Sequence, residues 1–405
     1  MRRTRLWRAT LALMPVLGLA AAPAIFSSKA SDVWNRTWCS LFLRQDDQGR
    51  EYGADSLDPL LWYQTHHLLT GESHRRALAG LDEFLRTHAE REVQDPLERA
   101  IFQHHLWAVF DWAMAGDNYP RERHELEVRL AQTIRRVALT AQQIRALPDT
   151  YSEAVAARLP LLPPDLFTAG GPWVCLSAWS DQPTAAVHFS GRSRFLVFMR
   201  LPGGRDATLA YVQELRTSHE PPLTGPDGRL LNLKLAQFPA GTEVALVRQA
   251  ILIDSEGRLA PTSLTESVQL RVYRTITPGN QFMNFIDGPS SHNQDFLEFR
   301  MSRPELFARH NGGLVAVAPR ETEFATFSTH GLDDFESVHR EGPGIILERC
   351  RACHADSGIH SVQSRVQWMD ASADRAGGDP VAWETQATIR KKEQQPDFAN
   401  LSSLW

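Results

Sequence analysis

Apolar residues recur at helical spacing in the first part of the chain, within residues 55–160. Two stripes are clear: Leu78, Leu81, Phe84 and Leu85 form the first, and Ile101, Leu106, Val109, Phe110 and Ala113 form the second. Ser73 is a candidate cap for the first helix, and Asp95-Pro96 places a capping carboxylate and a proline where the second begins. Similar patterns predict helices after Asp58-Pro59 and over 122–145. Short connections between long amphipathic helices predict an antiparallel helical bundle over residues 31–160.

Residues 161–277 have the pattern of β-strands instead. A proline-rich segment at 159–164 cannot continue a helix and marks the change. Strand-like runs follow, separated by turns that contain glycine, at 174–179, 186–189, 195–200, 208–215, 244–253 and 267–274. The apolar run 196–199 does not alternate, which predicts a strand buried on both faces. We therefore expect an antiparallel sheet or sandwich in the middle of the chain.

Residues 278–405 have a mixed pattern that ends in a helix. Asp379-Pro380 begins this last helix, which is predicted to run to about Gln394. The region is also rich in phenylalanine, which fits either packing against a large flat cofactor or an ordinary aromatic core. These residues are Phe296, Phe299, Phe307, Phe324, Phe327 and Phe335. The predicted fold is α+β and multidomain, with a helical bundle, an antiparallel β-rich middle and a mostly helical C-terminal region at 278–405.

The N-terminus has the pattern of a secretory signal peptide. Four arginines lie within the first eight residues, and an apolar run with small residues follows to Ala24. This run is shorter than a helix that spans a bilayer, so an uncleaved anchor is the less favoured alternative. Residues 1–30 are therefore predicted to be a signal peptide. The mature chain would be exported to the periplasm or another extracytoplasmic space, with no membrane span after cleavage.

The formal net charge of −5 disfavours partners that are themselves anionic. Proteins that bind nucleic acids concentrate Lys and Arg on one face or in a run, and this chain has no such run. No nucleic-acid partner is therefore expected, and an anionic lipid surface is disfavoured for the same reason.

The chain has four cysteines, and two of them form the run Cys350-Arg351-Ala352-Cys353-His354. This is the C-x-x-C-H spacing that attaches c-type haem, in which two thiols bind one porphyrin and the histidine ligates iron. A zinc site would need two further ligands, and the chain has no second C-x-x-C pair. A thioredoxin-like dithiol would follow a strand in a βαβ unit, which the pattern does not indicate. The predicted cofactor is one covalent haem c, held by Cys350 and Cys353, with His354 as the proximal iron ligand.

The other two cysteines, Cys39 and Cys175, could form a disulfide in an oxidising compartment. Their separation in sequence neither requires nor forbids the bond, since geometry decides. Both outcomes are open at this point.

The segment from about Glu341 resembles the class I cytochromes c. Gly342 and Ile346 precede Cys350 by eight and four residues, where the family has a glycine and a large apolar residue in the helix that ends in its haem motif. Ile346 stands in place of the usual aromatic residue. The resemblance implies that the last helix crosses this one. It also implies electron transfer with a redox partner protein.

The sixth iron ligand separates two classes of function. Met369, fifteen residues after His354, is the only methionine downstream and the family-like choice, although the family places its methionine further away. Other candidates are His330, His339, Met283 and Met301, and an open position is the third alternative. Iron with two protein ligands favours electron transfer, whereas an open face binds small molecules. The alternative function is therefore a haem enzyme or a sensor of small gases or peroxide.

Two histidine pairs, His66-His67 and His104-His105, lie in the region predicted to be helical. Facing helices of di-iron bundles build metal sites from Glu-x-x-His motifs, which accompany neither pair. We expect ordinary surface or hydrogen-bonded core histidines, with Asp111 as a candidate partner for one of them.

Overall fold

A computed structural model describes much of the chain: residues 26, 32–45, 51–52, 67–115, 118–176, 183–185, 190–217, 223–224, 230–231, 236–276, 293–323, 344–354, 358–362 and 379–405. Helices precede a six-stranded antiparallel sheet, and helices follow it. This confirms the predicted α+β class and its order along the chain. The domain boundaries drawn from the sequence stay predictions. The signal segment, apart from Phe26, lies outside the described residues.

The described helices have well-defined ends. They are α1 Val33–Phe42, α2 Gly71–Thr87, α3 Pro96–Met114, α4 Pro120–Val137, α5 Ala141–Arg145, α6 Thr150–Ala156, α7 Gly204–Thr217, α8 Arg303–Phe307, α9 Ile346–His354, α10 Ile359–Val362, α11 Pro380–Glu393 and α12 Pro396–Ser403. Short 3₁₀ turns lie at His67–Leu69, Ala89–Arg91 and Asn311–Gly313. The predicted start of α3 is confirmed, because the Asp95 carboxylate accepts from the amide of Leu97 at 2.8 Å. The helix predicted after Asp58-Pro59 falls mostly outside the described residues.

Two predictions about the helical region were wrong in detail. Helix α2 begins after Thr70, so Ser73 lies in its first turn and does not cap it. The helix predicted over 122–145 is two helices, α4 and α5, because the chain turns between them. There Leu139 forms a bridge with Asp254, and its carbonyl accepts from the amide of Ser255 at 2.8 Å. Thr140 then caps α5 in a capping box with Gln143.

Helix α3 is the centre of the helical region. Every residue of its stretch 101–110 is buried, which is wider than the apolar stripe predicted from the sequence. A helix that is apolar all round is enclosed by other elements. Here α4 and α5 pack on it, together with strand residues 250–253 and Phe398 and Leu401 of α12. Helices, sheet and C-terminus therefore share one apolar core.

The sheet has the strand order β10-β9-β8-β7-β4-β3, with every neighbouring pair antiparallel. Its strands are β3 Val174–Cys175, β4 Ser193–Arg200, β7 Glu243–Ile253, β8 Leu259–Tyr273, β9 Gln294–Met301 and β10 Leu314–Ala316. Two-residue pairs lie outside it, at β1 Arg44–Gln45 with β2 Glu51–Tyr52, β5 Leu223–Thr224 with β6 Leu230–Leu231, and β11 Thr322–Glu323 with β12 Gly344–Ile345. The strands predicted at 195–200, 244–253 and 267–274 are confirmed, whereas the run 186–189 lies outside the described residues.

Strand β4 is buried on both faces, as its unbroken apolar run predicts. Leu196 and Phe198 pack into one apolar cluster, and Val197 and Met199 pack into another on the opposite face. The strand predicted at 208–215 was wrong, because this segment forms helix α7. The apolar residues of α7 lie at helical spacing and cover the second of these clusters.

The C-terminal helices pack on the sheet and the bundle. The start of α11 is capped by Asp379, as predicted. Its main contacts are with β4 and α12, whereas α9 contacts β9, β12 and α10, which differs from the crossing of helices that the family resemblance implies. Lys392 is fully buried and forms ion pairs with Asp111 and Asp397. Within the described part of the chain, no helix combines the length and the apolar character needed to span a membrane.

Candidate haem-binding site

The C-x-x-C-H run lies at the end of helix α9. The amide of Ile346 donates to the carbonyl of Glu321 at 2.9 Å and starts the helix beside β11. Ile346 and Leu347 are buried against Phe296 of β9 and Val317. The helix predicted to end in the motif is therefore present and held against the sheet. Gly342 lies outside the described residues.

Helical geometry places the three motif positions together. Residues separated by three or four positions lie on the same side of an α-helix. Positions 353 and 354 lie three and four residues after position 350 within α9, which ends at His354, so each is close to position 350 on the helix surface. The spacing suits a site at which two thiols and an imidazole meet one flat group.

The ring of His354 is oriented by a backbone carbonyl. Its Nδ1 lies 2.8 Å from the carbonyl oxygen of Ser361 in α10. A carbonyl only accepts, so Nδ1 carries the proton and donates. In the neutral ring the lone pair is then on Nε2, the nitrogen that would bind a metal. Histidines that bind metals are usually held in this way, through the other ring nitrogen.

The segment that supplies this carbonyl is itself held in place. Arg271 of β8 donates through Nη1 to the same carbonyl oxygen of Ser361, also at 2.8 Å. The Ser361 hydroxyl donates to the carbonyl of Gly358 at 2.8 Å and lies 2.5 Å from the hydroxyl of Tyr273, which therefore donates to it. Burial raises the pKa of the Tyr273 hydroxyl, so this group keeps its proton.

The backbone at position 358, just before α10, favours glycine. Gly358 has a φ of +58°, and a Cβ there would lie 2.0 Å from Oε1 of Gln237. The same oxygen accepts from the amide of Ile359 at 3.0 Å. On the other side, the side-chain amide of Gln294 donates to the carbonyl of His354 at 2.5 Å. The end of α9 and the start of α10 are thus each attached to neighbouring segments.

An opening of about 790 Å³ lies beside α9, with Arg351 of the motif in its wall. Its apolar lining comes from the proline-rich segment and from strands β8 and β9: Leu161, Leu162, Pro163, Pro164, Leu270, Val272, Phe296 and Leu297. Arg200 and Arg274 line it as well, and each forms an ion pair at 2.5 Å, with Glu243 and Asp295 respectively. The guanidinium of Arg351 lies 6.0 Å from the ring centre of Phe296.

The donor chemistry of the motif fits a haem. The opening beside it is lined by the carboxylates of Asp165, Glu243 and Asp295 as well as by three arginines, and its lining includes Arg351 but not positions 350, 353 or 354, so the fit rests on the motif. The oriented imidazole supplies an iron ligand of the usual kind. The donor set is therefore compatible with the group that the C-x-x-C-H spacing predicts.

The described residues narrow the choice of a sixth ligand. Met301 is buried at the far end of β9, seven residues from Gln294, which bonds to His354. At about 3.3 Å per strand residue, this is roughly 23 Å away, so Met301 does not reach an iron held by His354. Met369, Met283, His330 and His339 lie outside the described residues, and their proposed roles stay predictions.

The second histidine pair belongs to the core, as expected. The Nε2 of His104 lies 3.1 Å from the carbonyl of Arg192, and burial lowers the pKa of this ring. The Nδ1 of His105 accepts from the indole of Trp38 at 2.9 Å. Asp111 does not bond a histidine as suggested, because it pairs with Arg192 and Lys392. His66 lies outside the described residues. No cluster of three potential metal ligands is found among the residues described.

Cys39 and Cys175 are not joined by a disulfide. Cys39 lies in the helical cluster around α3, and Cys175 lies in the cluster on one face of the sheet. Both side chains are buried and lie in different apolar clusters, so the disulfide considered from the sequence is absent.

Comparison with protein-family models, with curated proteins and with solved structures finds no match. The chemistry of the site therefore rests on its own residues.

Sequence reasoning missed the residues that support His354. Arg271 and Tyr273 alternate along β8 as polar members of a predicted strand, and Ser361 follows the motif by seven residues. The signal available in the sequence was that positions 271 and 273 of a predicted strand are polar. Nothing in the spacing connects that strand with a histidine more than eighty residues later.

Proposed function

We propose that this chain is an exported single-haem c-type cytochrome that transfers electrons. The observation that carries the proposal is the hydrogen bond from His354 Nδ1 to the Ser361 carbonyl, directly at the C-x-x-C-H run. It gives the histidine the tautomer and the fixed orientation of a metal ligand. The motif spacing and the signal-like N-terminus support the same conclusion, because haem is attached to cysteines outside the cytoplasm.

Each residue would have a distinct task. Cys350 and Cys353 would hold the porphyrin through thioether bonds, and His354 would ligate the iron through Nε2. When bound, the haem supplies a one-electron couple at its iron. Met369 is the candidate second ligand, and a redox partner protein would exchange the electron.

The packing around His354 suits electron transfer. The ring of His354 is held by the Ser361 carbonyl of α10, and the carbonyl of His354 is held by Gln294 of strand β9. Strand β9 belongs to the six-stranded sheet. A ligand that keeps its position in both oxidation states lets an electron move without rearranging the site. The buried contacts of α9 and α10 would resist such rearrangement.

Covalent attachment tests the proposal directly. The full chain, produced with its N-terminal segment in cells that mature c-type cytochromes, should keep haem on a denaturing gel. The double variant Cys350→Ala, Cys353→Ala should lose it. The matched control Cys39→Ala, Cys175→Ala should keep it, because those cysteines lie in apolar clusters of the fold. Wild-type protein without covalent haem would contradict the proposal.

Absorption spectra separate electron transfer from the alternative. Low-spin spectra in both oxidation states, unchanged by carbon monoxide, are the expected result. High-spin iron that readily binds carbon monoxide would contradict an electron carrier. That outcome would favour a haem enzyme or a sensor of small gases or peroxide.

A further inference from the structure

We propose that Arg271 is a positioning residue that raises the reduction potential of the site through the carbonyl of Ser361. This inference rests on the proposed function, because it concerns the ligand His354. It adds a role for a residue on a strand of the sheet, which neither the motif nor its resemblance to a family assigns.

The geometry places Arg271 directly behind the histidine. The Ser361 carbonyl oxygen accepts two hydrogen bonds of equal length, 2.8 Å from His354 Nδ1 and 2.8 Å from Arg271 Nη1. Nη1 also lies 3.4 Å from the Ser361 hydroxyl. The guanidinium is thus two hydrogen bonds from the ring that would ligate iron, on the side away from Nε2.

The surroundings make this cation unusual. Arg271 is 4 % exposed, and Ser361 is fully buried. Two other buried arginines lie on the neighbouring strands, and both have a carboxylate partner: Arg248 has Glu266 at 3.3 Å, and Arg300 has Glu298 at 2.6 Å. Within the described part of the chain, the hydrogen-bond partners of Arg271 are the carbonyl and hydroxyl of Ser361, and no carboxylate pairs with it. Its guanidinium lies in a buried environment, where a charge acts more strongly on its neighbours than it would in water.

The shared carbonyl determines how strongly His354 donates to iron. A strong acceptor at Nδ1 makes an imidazole more basic and favours the oxidised metal. A carbonyl that also accepts from a guanidinium is polarised toward that cation, so it draws less on the Nδ1 proton. His354 then remains a weaker electron donor. The weaker donor favours the reduced iron.

The charge acts in the same direction. Oxidised iron carries one more positive charge than reduced iron, so a nearby cation destabilises the oxidised form more. This repulsion is stronger in the buried surroundings of Arg271 than it would be in water. Both effects raise the reduction potential. A role limited to packing would leave the potential unchanged.

Two variants separate the charge from the hydrogen bond. Arg271→Gln removes the charge and keeps an N–H donor, whereas Arg271→Met removes both. Each should lower the midpoint potential, and Met should lower it more. At a fixed ambient potential, we expect the ratio of oxidised to reduced protein to rise at least tenfold for Met, about 59 mV for a one-electron couple. Both replacement side chains are unbranched like that of arginine, so we expect both variants to fold, and urea unfolding checks this.

The matched control is Tyr273→Phe. It deletes the hydroxyl that bonds Ser361 Oγ at 2.5 Å and leaves both bonds to the Ser361 carbonyl intact. Its potential should stay close to that of the wild type. Spectroelectrochemical titration of the full-length holoprotein measures all four potentials. Spectra of the oxidised iron report the donor strength of the histidine independently.

The outcomes distinguish this inference from the proposed function. Covalent haem in the wild type, with unchanged potentials in both Arg271 variants, would overturn the role of Arg271 alone. A fall of equal size in Tyr273→Phe would also overturn it, because loosening of the segment would then be the cause. A wild-type chain that carries no covalent haem would instead reject the proposed function. If Arg271→Met does not fold, Arg271→Gln still decides.

Discussion

The side-chain amide of Gln294 donates to the backbone carbonyl of His354 at 2.5 Å, across sixty residues of sequence. The last carbonyls of a helix have no partner within the helix, so an outside donor stabilises its end. Gln294 is the first residue of β9 and is largely buried. The central sheet therefore holds the end of the helix that carries the C-x-x-C-H run.

We expect Gln294→Ala to loosen the end of α9 without detaching a covalent haem. Loss of one buried hydrogen bond should cost about 1–2 kcal/mol of local stability. Hydrogen exchange of the segment 346–362 should become faster, as mass spectrometry would measure. Gln94 offers a matched control, because its amide donates to the Arg91 carbonyl at an exposed position where water can replace it. Equal protection of 346–362 in the wild type and Gln294→Ala would contradict this role.

Glu384 should make the protein less stable as the pH rises. Both carboxylate oxygens accept from the amide of Thr184, at 3.0 and 3.2 Å, and burial raises the pKa of Glu384 to about 8. Between roughly pH 4.5 and 8 the folded protein keeps this proton while the unfolded chain loses it. The free energy of unfolding should therefore fall across this window, by an amount on the order of a few kcal/mol.

Urea unfolding at pH 5, 7 and 9 measures this effect. Glu384→Gln should flatten the decrease, because the amide does not titrate. Glu393→Gln, at an exposed position of the same helix, should keep the slope of the wild type. A slope that persists in Glu384→Gln would show that another group causes it.

Lys392→Met should destabilise the protein strongly. The ammonium of Lys392 lies 3.1 Å from Asp111 and 2.5 Å from Asp397, and its side chain is fully buried. Methionine keeps most of the volume but leaves the carboxylates of Asp111 and Asp397 without this cation, which should cost about 3–5 kcal/mol. Urea unfolding checks the value, with Lys391→Met at the half-buried neighbouring position as the control. A loss equal to that of the control would refute the importance of the buried pair.

Gly312→Ala should destabilise the protein much more than Gly170→Ala does. A Cβ at position 312 would lie 1.9 Å from the carbonyl oxygen of Thr150, at a φ of +57°. Gly170 also has a positive φ, +70°, but a Cβ there meets nothing within 4 Å. Gly170→Ala therefore measures the backbone cost alone, about 1 kcal/mol. The excess loss of thermal stability in Gly312→Ala isolates the contact, and equal losses in the two variants would disprove it.

Two helix starts and three strands of the sheet could be predicted because their signals are local. Asp95 and Asp379 each accept from an amide two residues later, so the cap and the first turn lie within one short segment. The strand predicted at 208–215 failed for a related reason. Tyr211, Val212 and Leu215 fit a β-rich composition, yet their spacing buries one face of a helix against the sheet.

The candidate site likewise has one part that local sequence predicts and one part that depends on distant segments. His354 follows from its place after Cys353, whereas its partner Ser361 depends on a turn in which Gly358 approaches Gln237. Arg271 donates to the carbonyl of Ser361 from a strand ninety residues earlier in the chain. Such contacts follow from strand register and helix packing, which no short window of sequence contains.

The sequence by itself determined the features that depend on a turn or two of chain. These are the N-caps, the doubly buried strand β4 and the spacing of Cys350, Cys353 and His354. Only the tertiary structure decided that one carbonyl, that of Ser361, lies between His354 and Arg271. The physical reason is that hydrogen bonds and buried charges form between whichever groups packing brings within about 3 Å, and packing is a property of the whole chain.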